Sequence, residues 1–291
     1  MKNYKIHPIK FLRSILILIF IIIFFLIALH NKILIKSAKS KELKNIANSK
    51  TTNTFSNTTK NINSFEYISS LIKSSPVICT TVASSTIYSN HSLYNSEEID
   101  QVKSDSKLEI LEDYYTKWYK VKKLSNGKIG WIKDSFISIP PDPNTNKNRL
   151  SKNQLETYVN NKNFDSTTDQ FIWVDLDRQL TYIFSGHKNN WSLTKTISIA
   201  SGLNESPTTR GVFKIKKRGT WFYSEEFQAG AKYWVEFNDS YLFHSVSMDK
   251  YQNIKDPVVG ERRSSGCVRM PLEDIKWFYD TIKTGTTVYV N

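Results

Sequence analysis

The pattern of apolar and polar positions divides the chain into an unbroken apolar run, a polar stretch and two regions rich in short strands. Residues 15–29 read ILILIFIIIFFLIAL, fifteen residues with no charge and no helix breaker. Residues 37–64 hold few large apolar side chains, and TTNTFSNTTKNINS is their purest segment. Burial there cannot offset the entropy of ordering the chain, so the stretch reads as a tether. From about Pro76 to Ile139 short β-type runs take over, at 77–82, 108–111, 118–121 and 129–132. Ser125-Asn126-Gly127 between the last two is a tight-turn signal and predicts a hairpin. About five short strands in that span predict a small barrel.

Pro140-Pro141-Asp142-Pro143 stiffens the chain and marks a boundary. Ser151 then opens a short amphipathic helix with Leu155, Tyr158 and Val159 on one face. Beyond it, strand patterns recur at 171–176, 179–184, 194–200, 211–215, 233–237, 241–244 and 287–290, with Asp177-Arg178 as the turn between the first two. Only 271–283 reads clearly as helix, with Leu272, Ile275, Phe278 and Ile282 spaced for one face. The expected fold class is mainly β: a small barrel, then a mostly-β domain with a few helices, behind an N-terminal apolar helix.

Charge changes the picture less than its total suggests. The formal net charge of +13 invites a nucleic-acid reading, but residues 1–60 hold eleven Lys and Arg against the single acid Glu42. Ten of the thirteen positive charges therefore sit in the tail, where they suit anionic lipid headgroups or wall polymers. The folded part shows no basic stripe, no zinc-ligand spacing and no helix-turn-helix cue, so no nucleic-acid partner is expected.

The apolar run is slightly shorter than the roughly 20 residues a spanning helix needs, with about 17 as the lower end. A cleaved signal peptide is therefore weighed against an uncleaved anchor. No small-x-small cleavage site follows, and apolar residues resume at Ile33-Leu34-Ile35, which favours an anchor over 15–35. Lys2, Lys5, Lys10 and Arg13 in front argue for an N-terminus inside the cell. The rest of the chain is then expected outside the membrane.

Two cysteines, Cys79 and Cys267, are too few for a disulfide framework. A reactive cysteine needs a base, and histidine is the usual partner. Of the five histidines, His7 and His30 flank the apolar run, His91 falls in the first β region and His187 lies in a polar turn. His244, at the end of a strand pattern in the same region as Cys267, is the strong candidate. Gly266 lets the backbone turn so that amide N–H groups can point at a developing oxyanion. A Gly-Cys pair alone is more often structural.

The combination of His244-Ser245 with Ser264-Ser265-Gly266-Cys267-Val268-Arg269 resembles the L,D-transpeptidase catalytic domain, often called the YkuD family. Its signature is a His, a loop, then Ser-His-Gly-Cys-Ile/Val-Asn/Arg. Further stretches agree: 172–176 with Gln179, then Ala200-Ser201-Gly202 ahead of 206–213, which resembles the family's Thr-Pro-x-Gly-x-Phe segment. Ser265 stands where most members have histidine, and the loop from His244 to Ser264 is longer than average. The earlier region, with its Trp118-x-x-Val121 and Gly130-Trp131-Ile132 pairing, resembles the bacterial SH3-like domain, whose members bind wall peptides or polymers. Trp118 and Trp131 equally suit a plain core.

The catalytic resemblance implies a donor stem tetrapeptide ending in D-alanine, with peptidoglycan stem peptides as partners. Cys267 would be nucleophile and His244 its base. Backbone amides near Gly266 and Cys267 would hold the oxyanion, with Ser264 and Ser265 in the same loop. The carbonyl of Ser245 would orient His244, and Arg269 would hold the loop or a substrate carboxylate, with a plain surface salt bridge as an equal alternative. No cofactor or metal is implied. An amine would resolve the thioester to a 3–3 cross-link, and water would make the protein a carboxypeptidase. A wall-binding protein without catalysis and a sortase-like transpeptidase are the rivals. The expected organisation is 1–14 cytoplasmic, 15–35 anchor, 36–70 spacer, 71–140 SH3-like, 141–167 linker and short helix, and 168–291 catalytic.

Overall fold

A computed structural model describes residues 64–291. The apolar run and most of the spacer lie outside the described residues. Among the described residues no helix is long and apolar enough to cross a membrane.

The described chain begins with a helix, α1 (Phe65–Leu71), capped by the Ser64 hydroxyl on the Tyr67 N–H. The sequence reading ran the spacer to residue 70; a buried Ile68, packed with Leu155 and Tyr158, is what orders this stretch instead.

Seven strands follow: β1 (Val77–Thr81), β2 (Ser85–Tyr88), β3 (Glu98–Val102), β4 (Lys107–Tyr114), β5 (Trp118–Lys123), β6 (Ile129–Lys133) and β7 (Ile137–Ser138). They form one sheet in the order β3-β2-β6-β5-β4-β1-β7, antiparallel throughout. The hairpin read from Ser125-Asn126-Gly127 joins β5 to β6, and Gly127 takes a φ of +76°, which only glycine adopts without strain. One face encloses Val77, Cys79, Ile87, Leu108, Val121 and Ile132. Trp118 is buried, whereas Trp131 faces outward with the Lys120 ammonium 5.9 Å from its ring.

The helix predicted after Ser151 is α2 (Lys152–Asn161), closed at its N-terminus by a capping box of Ser151 with Gln154. Then come β8 (Gln170–Asp175), β9 (Leu180–His187), β10 (Asn190–Ser198) and β11 (Gly211–Lys214). β12 (Arg218–Ser224), β13 (Ala229–Asn238), β14 (Tyr241–Ser245), β15 (Ser247–Met248), β16 (Ile254–Asp256) and β17 (Val268–Met270) follow, and α3 (Leu272–Thr281) and β18 (Thr287–Val290) close the chain.

Two sheets result, one ordered β10-β9-β8-β18-β11 and the other β16-β15-β13-β14-β17 with β12 beside β13. Strand β8 is buried at every position because both faces of its sheet are covered. Ile172 and Val174 meet the second sheet and α3, while Phe171 and Trp173 meet α1 and α2. The described chain is thus mainly β with three α-helices. The stretch between His244 and Ser264, read as one long loop, contains the two short strands β15 and β16.

The two β regions touch through specific bonds. Ser206 donates to the Asp113 carboxylate at 2.5 Å, Arg210 pairs with Glu109, and Asn204 bonds Asp142 and the carbonyls of Pro140 and Pro141. The 201–210 segment therefore meets β4 on one side.

Candidate active site

The ladder between β14 and β17 sets the geometry. The strands run parallel, with Phe243 beside Val268, His244 beside Arg269 and Ser245 beside Met270. Side chains alternate along a strand. Phe243, Val268 and Met270 enter the inter-sheet core, and His244 and Arg269 share the opposite face. Cys267 directly precedes β17. Continuing the register backward sets it level with Leu242, on the His244 face and two positions away.

His244 is 7% exposed. Its Nδ1 lies 2.7 Å from the Ser245 carbonyl oxygen. A carbonyl only accepts, so Nδ1 carries the hydrogen and Nε2 keeps its lone pair. The ring of Phe222 meets the imidazole edge-on at 5.5 Å. Burial pushes the imidazole pKa down to about 4; the Ser245 carbonyl works against that shift, and the nearby Arg269 charge adds to it. Cys267 is half-buried, with Sγ 3.7 Å from the Ser240 carbonyl oxygen. Packing around the sulfur raises its pKa, against smaller opposing effects of the Leu242 backbone and of Arg269. Both shifts act in one direction: the resting pair is neutral thiol and neutral imidazole, not an ion pair.

The cysteine loop is braced from behind. Ser264 Oγ donates to the Cys267 carbonyl at 2.5 Å. Thr208 Oγ1 donates to the Gly266 carbonyl at 2.7 Å and accepts from the Gly202 N–H at 2.9 Å. Ala200 and Arg269 exchange two backbone bonds of 2.9 Å, and Ser264 N–H reaches the Ser201 carbonyl at 2.9 Å. Gln179 fixes Ser201 in turn, through its side-chain oxygen on the Ser201 N–H and its side-chain nitrogen on the Ser201 hydroxyl. At Gly266 the φ is +100°, and a Cβ there would lie 3.0 Å from the Tyr241 ring. A Cβ on Gly202 would fall 2.3 Å from the Ser206 carbonyl oxygen. The stretches 200–202 and 206–213, singled out in the sequence, thus supply the cradle that holds Gly266 and Cys267.

The remaining candidates divide. Ser245 is fully buried, its hydroxyl committed to the Lys232 N–H and the Val246 carbonyl, so only its carbonyl faces His244. Ser265 is exposed. Arg269 reaches Asp256 at 3.4 Å, and Asp256 also takes Arg263 Nε at 3.0 Å. The Arg269 Nε is buried without a hydrogen-bond partner, an uncommon state for a guanidinium donor. Thr208, Tyr241, Asp256 and Phe222 carry no role in the sequence reading. Tyr241 reads there simply as a strand aromatic, Phe222 lies in a stretch given no element, and no spacing signal marks their contacts. Among the described residues no cluster of three or more His, Cys, Asp or Glu is placed to hold a metal.

A buried imidazole with a free Nε2 and a thiol on the same strand-pair face can move a proton between them as sulfur attacks a carbonyl. That makes the centre one of cysteine–histidine type on a β scaffold. Residues 169–290 match the model of the YkuD family, the L,D-transpeptidase catalytic domain.

The protein named "Putative L,D-transpeptidase YciB" of Bacillus subtilis (strain 168) is 35% identical over 131 residues, covering 41% of this chain and 66% of YciB. A fused Zn-dependent amidase/peptidase/peptidoglycan-binding domain-containing protein of Clostridium acetobutylicum is 31% identical, covering 48% of this chain and 59% of that one, with a TM-score of 0.42. An L,D-transpeptidase (Yku) of Stackebrandtia nassauensis is 22% identical over 49% of this chain and 67% of that one, with a TM-score of 0.34. The chain thus spans just under two thirds of YciB's length.

Proposed function

We propose that the protein is a peptidoglycan L,D-transpeptidase in which Cys267 is the nucleophile and His244 the general base. The observation that carries this reading is the Nδ1 contact of His244 with the Ser245 carbonyl, which leaves Nε2 as an acceptor on the cysteine's side of the sheet. As Sγ attacks the carbonyl that joins the third stem residue to the terminal D-alanine, its proton passes to Nε2. The N–H groups of Gly266 and Cys267, in the braced loop, receive the oxyanion. The C–N bond breaks, the proton on Nε2 goes to the leaving D-alanine amine, and a thioester on Cys267 remains. An amine from a neighbouring stem peptide then attacks the thioester to give a 3–3 cross-link, and water gives carboxypeptidase activity. The buried, unpartnered Nε of Arg269 suits a carboxylate of the donor. Ser264 acts on the loop through the Cys267 carbonyl, and Ser265 contributes backbone only.

The reading extends to the rest of the chain. The seven-stranded region is taken as an SH3-like module that holds wall polymer near the centre. Residues 15–35 are taken as a single-pass anchor, with the tether placing both β regions on the wall side of the cell membrane. The basic tail would then meet anionic lipid or wall polymers.

Mass spectrometry of the full chain incubated with a disaccharide-tetrapeptide, beside Cys267→Ala, tests this. A thioester on Cys267, loss of D-alanine and a linked dimer, all absent from the variant, are expected. A folded parent protein that forms neither adduct nor product would overturn the assignment.

A further inference from the structure

Phe222 is half-buried, yet it belongs to none of the hydrophobic clusters among the described residues. Its ring contact is with the His244 imidazole, 5.5 Å away and with the two planes at 87°. The strand that carries it, β12, lies at an edge of its sheet beside β13, with Phe222 opposite Ala231. An aromatic residue that fills no core and meets the candidate base is unusual enough to ask what holds it there.

The β12–β13 hairpin is fastened at both ends. Where β12 starts, Arg218 donates to the Tyr279 and Ile282 carbonyls at the close of α3, both at 2.6 Å. At the far end, Lys255 Nζ reaches the Gln228 carbonyl at 2.8 Å. Between them the ring of Trp234 lies against Gly219 and that of Trp221 against Gly230. A Cβ on either glycine would fall 2.5 Å from the ring, so each contact needs glycine. Trp221 and Phe222 are neighbours in an extended strand, so their side chains leave on opposite faces. One face of β12 thus locks the hairpin, and the other presents Phe222 to His244.

The imidazole needs such a neighbour. The second side-chain torsion of histidine is broad, and a carbonyl oxygen accepts over a wide range of angles. The 2.7 Å bond to Ser245 decides which nitrogen carries the hydrogen, but a single bond leaves the ring free to tilt about it. We propose that Phe222 is the positioning residue that fixes the plane of the His244 ring, and with it the direction of the Nε2 lone pair. The proposal rests on the reading of Cys267 and His244 as nucleophile and base. Proton transfer demands hydrogen-bond reach and alignment, so a tilted ring slows the attack without weakening donor binding. Phe222 itself touches neither sulfur nor substrate in this role.

Two readouts on the full chain test this. Phe222→Leu keeps apolar bulk and removes the ring, whereas Phe222→Tyr keeps the ring. With histidine labelled by 15N, and His244→Gln assigning the signals, the parent should show one tautomer, protonated on Nδ1. In Phe222→Leu a swinging ring breaks the Ser245 bond part of the time, so the nitrogen shifts should average towards the second tautomer. The rate of thioester formation from a disaccharide-tetrapeptide should fall about tenfold at saturating donor, with the half-saturating concentration unchanged. Phe222→Tyr should stay within about twofold of the parent rate. Phe164→Leu strips a stacked ring from the cluster beyond β8, and should lower the melting temperature while moving neither readout. Parent nitrogen shifts in Phe222→Leu, whatever its rate, would overturn the proposal and leave Phe222 a merely structural residue. Failure of the parent to form any thioester would instead sink the transpeptidase reading, and the nitrogen shifts alone would then decide the role of Phe222.

Discussion

His244 donates its Nδ1 hydrogen to the carbonyl of Ser245, the next residue in its own strand, at 2.7 Å. The orientation of the imidazole is thereby set by local backbone, with no carboxylate involved. A carboxylate would hold the imidazolium and raise its pKa strongly; a carbonyl raises it less and leaves burial dominant. The ring should therefore titrate near 4, well below its ordinary 6.5. The unfolded chain's His244 takes up a proton below about 6.5 while the folded one does not. Stability accordingly falls as pH drops from 6.5 towards 4, by up to roughly 3 kcal/mol from this residue. NMR titration of the imidazole and urea melts of parent and His244→Gln at pH 7 and 4.5 measure both. An inflection near 6.5 would mean that the ring is solvated or ion-paired.

The cysteine follows from the same neutral pair. With the thiol raised above its ordinary 9.0, alkylation of Cys267 by iodoacetamide should keep climbing through pH 9. Cys79 sits in the core of the first sheet, fully buried, and burial pushes its thiol up to about 12. In native protein, peptide mapping should find label on Cys267 alone, with Cys79 modified only after denaturation. Label on Cys79 at native pH 7 would show that the sheet opens readily.

The cradle behind the loop makes a sharper demand. Thr208→Val keeps the shape but removes the hydroxyl that bridges Gly202 N–H and the Gly266 carbonyl. Two buried backbone groups lose their partner, at a cost of about 1–3 kcal/mol each. Gly202→Ala meets the Ser206 carbonyl, which is backbone and cannot swing aside. Both variants should lower the thioester-forming rate by more than their melting temperatures alone explain. Unchanged acylation in a folded Thr208→Val protein would show that the loop holds its shape without the bridge.

How much of this was readable beforehand depends on whether the cause was local. The β5–β6 hairpin, the Ser151 cap and the face of α3 rest on neighbouring residues, and each is where its pattern put it. Val268-Arg269-Met270 even carries the alternation that sends Arg269 to the His244 face. Strand β12 went unread because its burial is intermediate at every position but the exposed Thr220, and no clean alternation survives. Helix α1 follows a polar stretch and is ordered by Ile68 meeting residues nearly ninety positions away. The contacts of Tyr241, Thr208 and Asp256 with the loop arise from sheet pairing distant in sequence, which leaves no trace in spacing.

Arg178 shows the same limit and carries the last prediction. In the sequence it reads as half of a turn, Asp177-Arg178, where a charged residue would normally be solvated. In the fold it is 2% exposed. Its NH1 meets Asp175 at 3.0 Å, its NH2 the Leu71 carbonyl at 2.7 Å and its Nε the Asn148 carbonyl at 2.8 Å. One guanidinium thus ties the end of α1 and the linker to the turn after β8, and every contact is a charge-assisted bond. Removing it as Arg178→Ala strands the buried Asp175 carboxylate and frees two carbonyls. Losing one partner of a buried pair costs about 3–5 kcal/mol. Arg178→Lys keeps the charge but cannot span three acceptors, so it should recover only a minor part. Chemical denaturation of the full chain measures this, with limited proteolysis at 64–74 to show release of α1. If Arg178→Ala melts within about 1 kcal/mol of the parent, the range of an exposed substitution, the guanidinium does not hold these segments together.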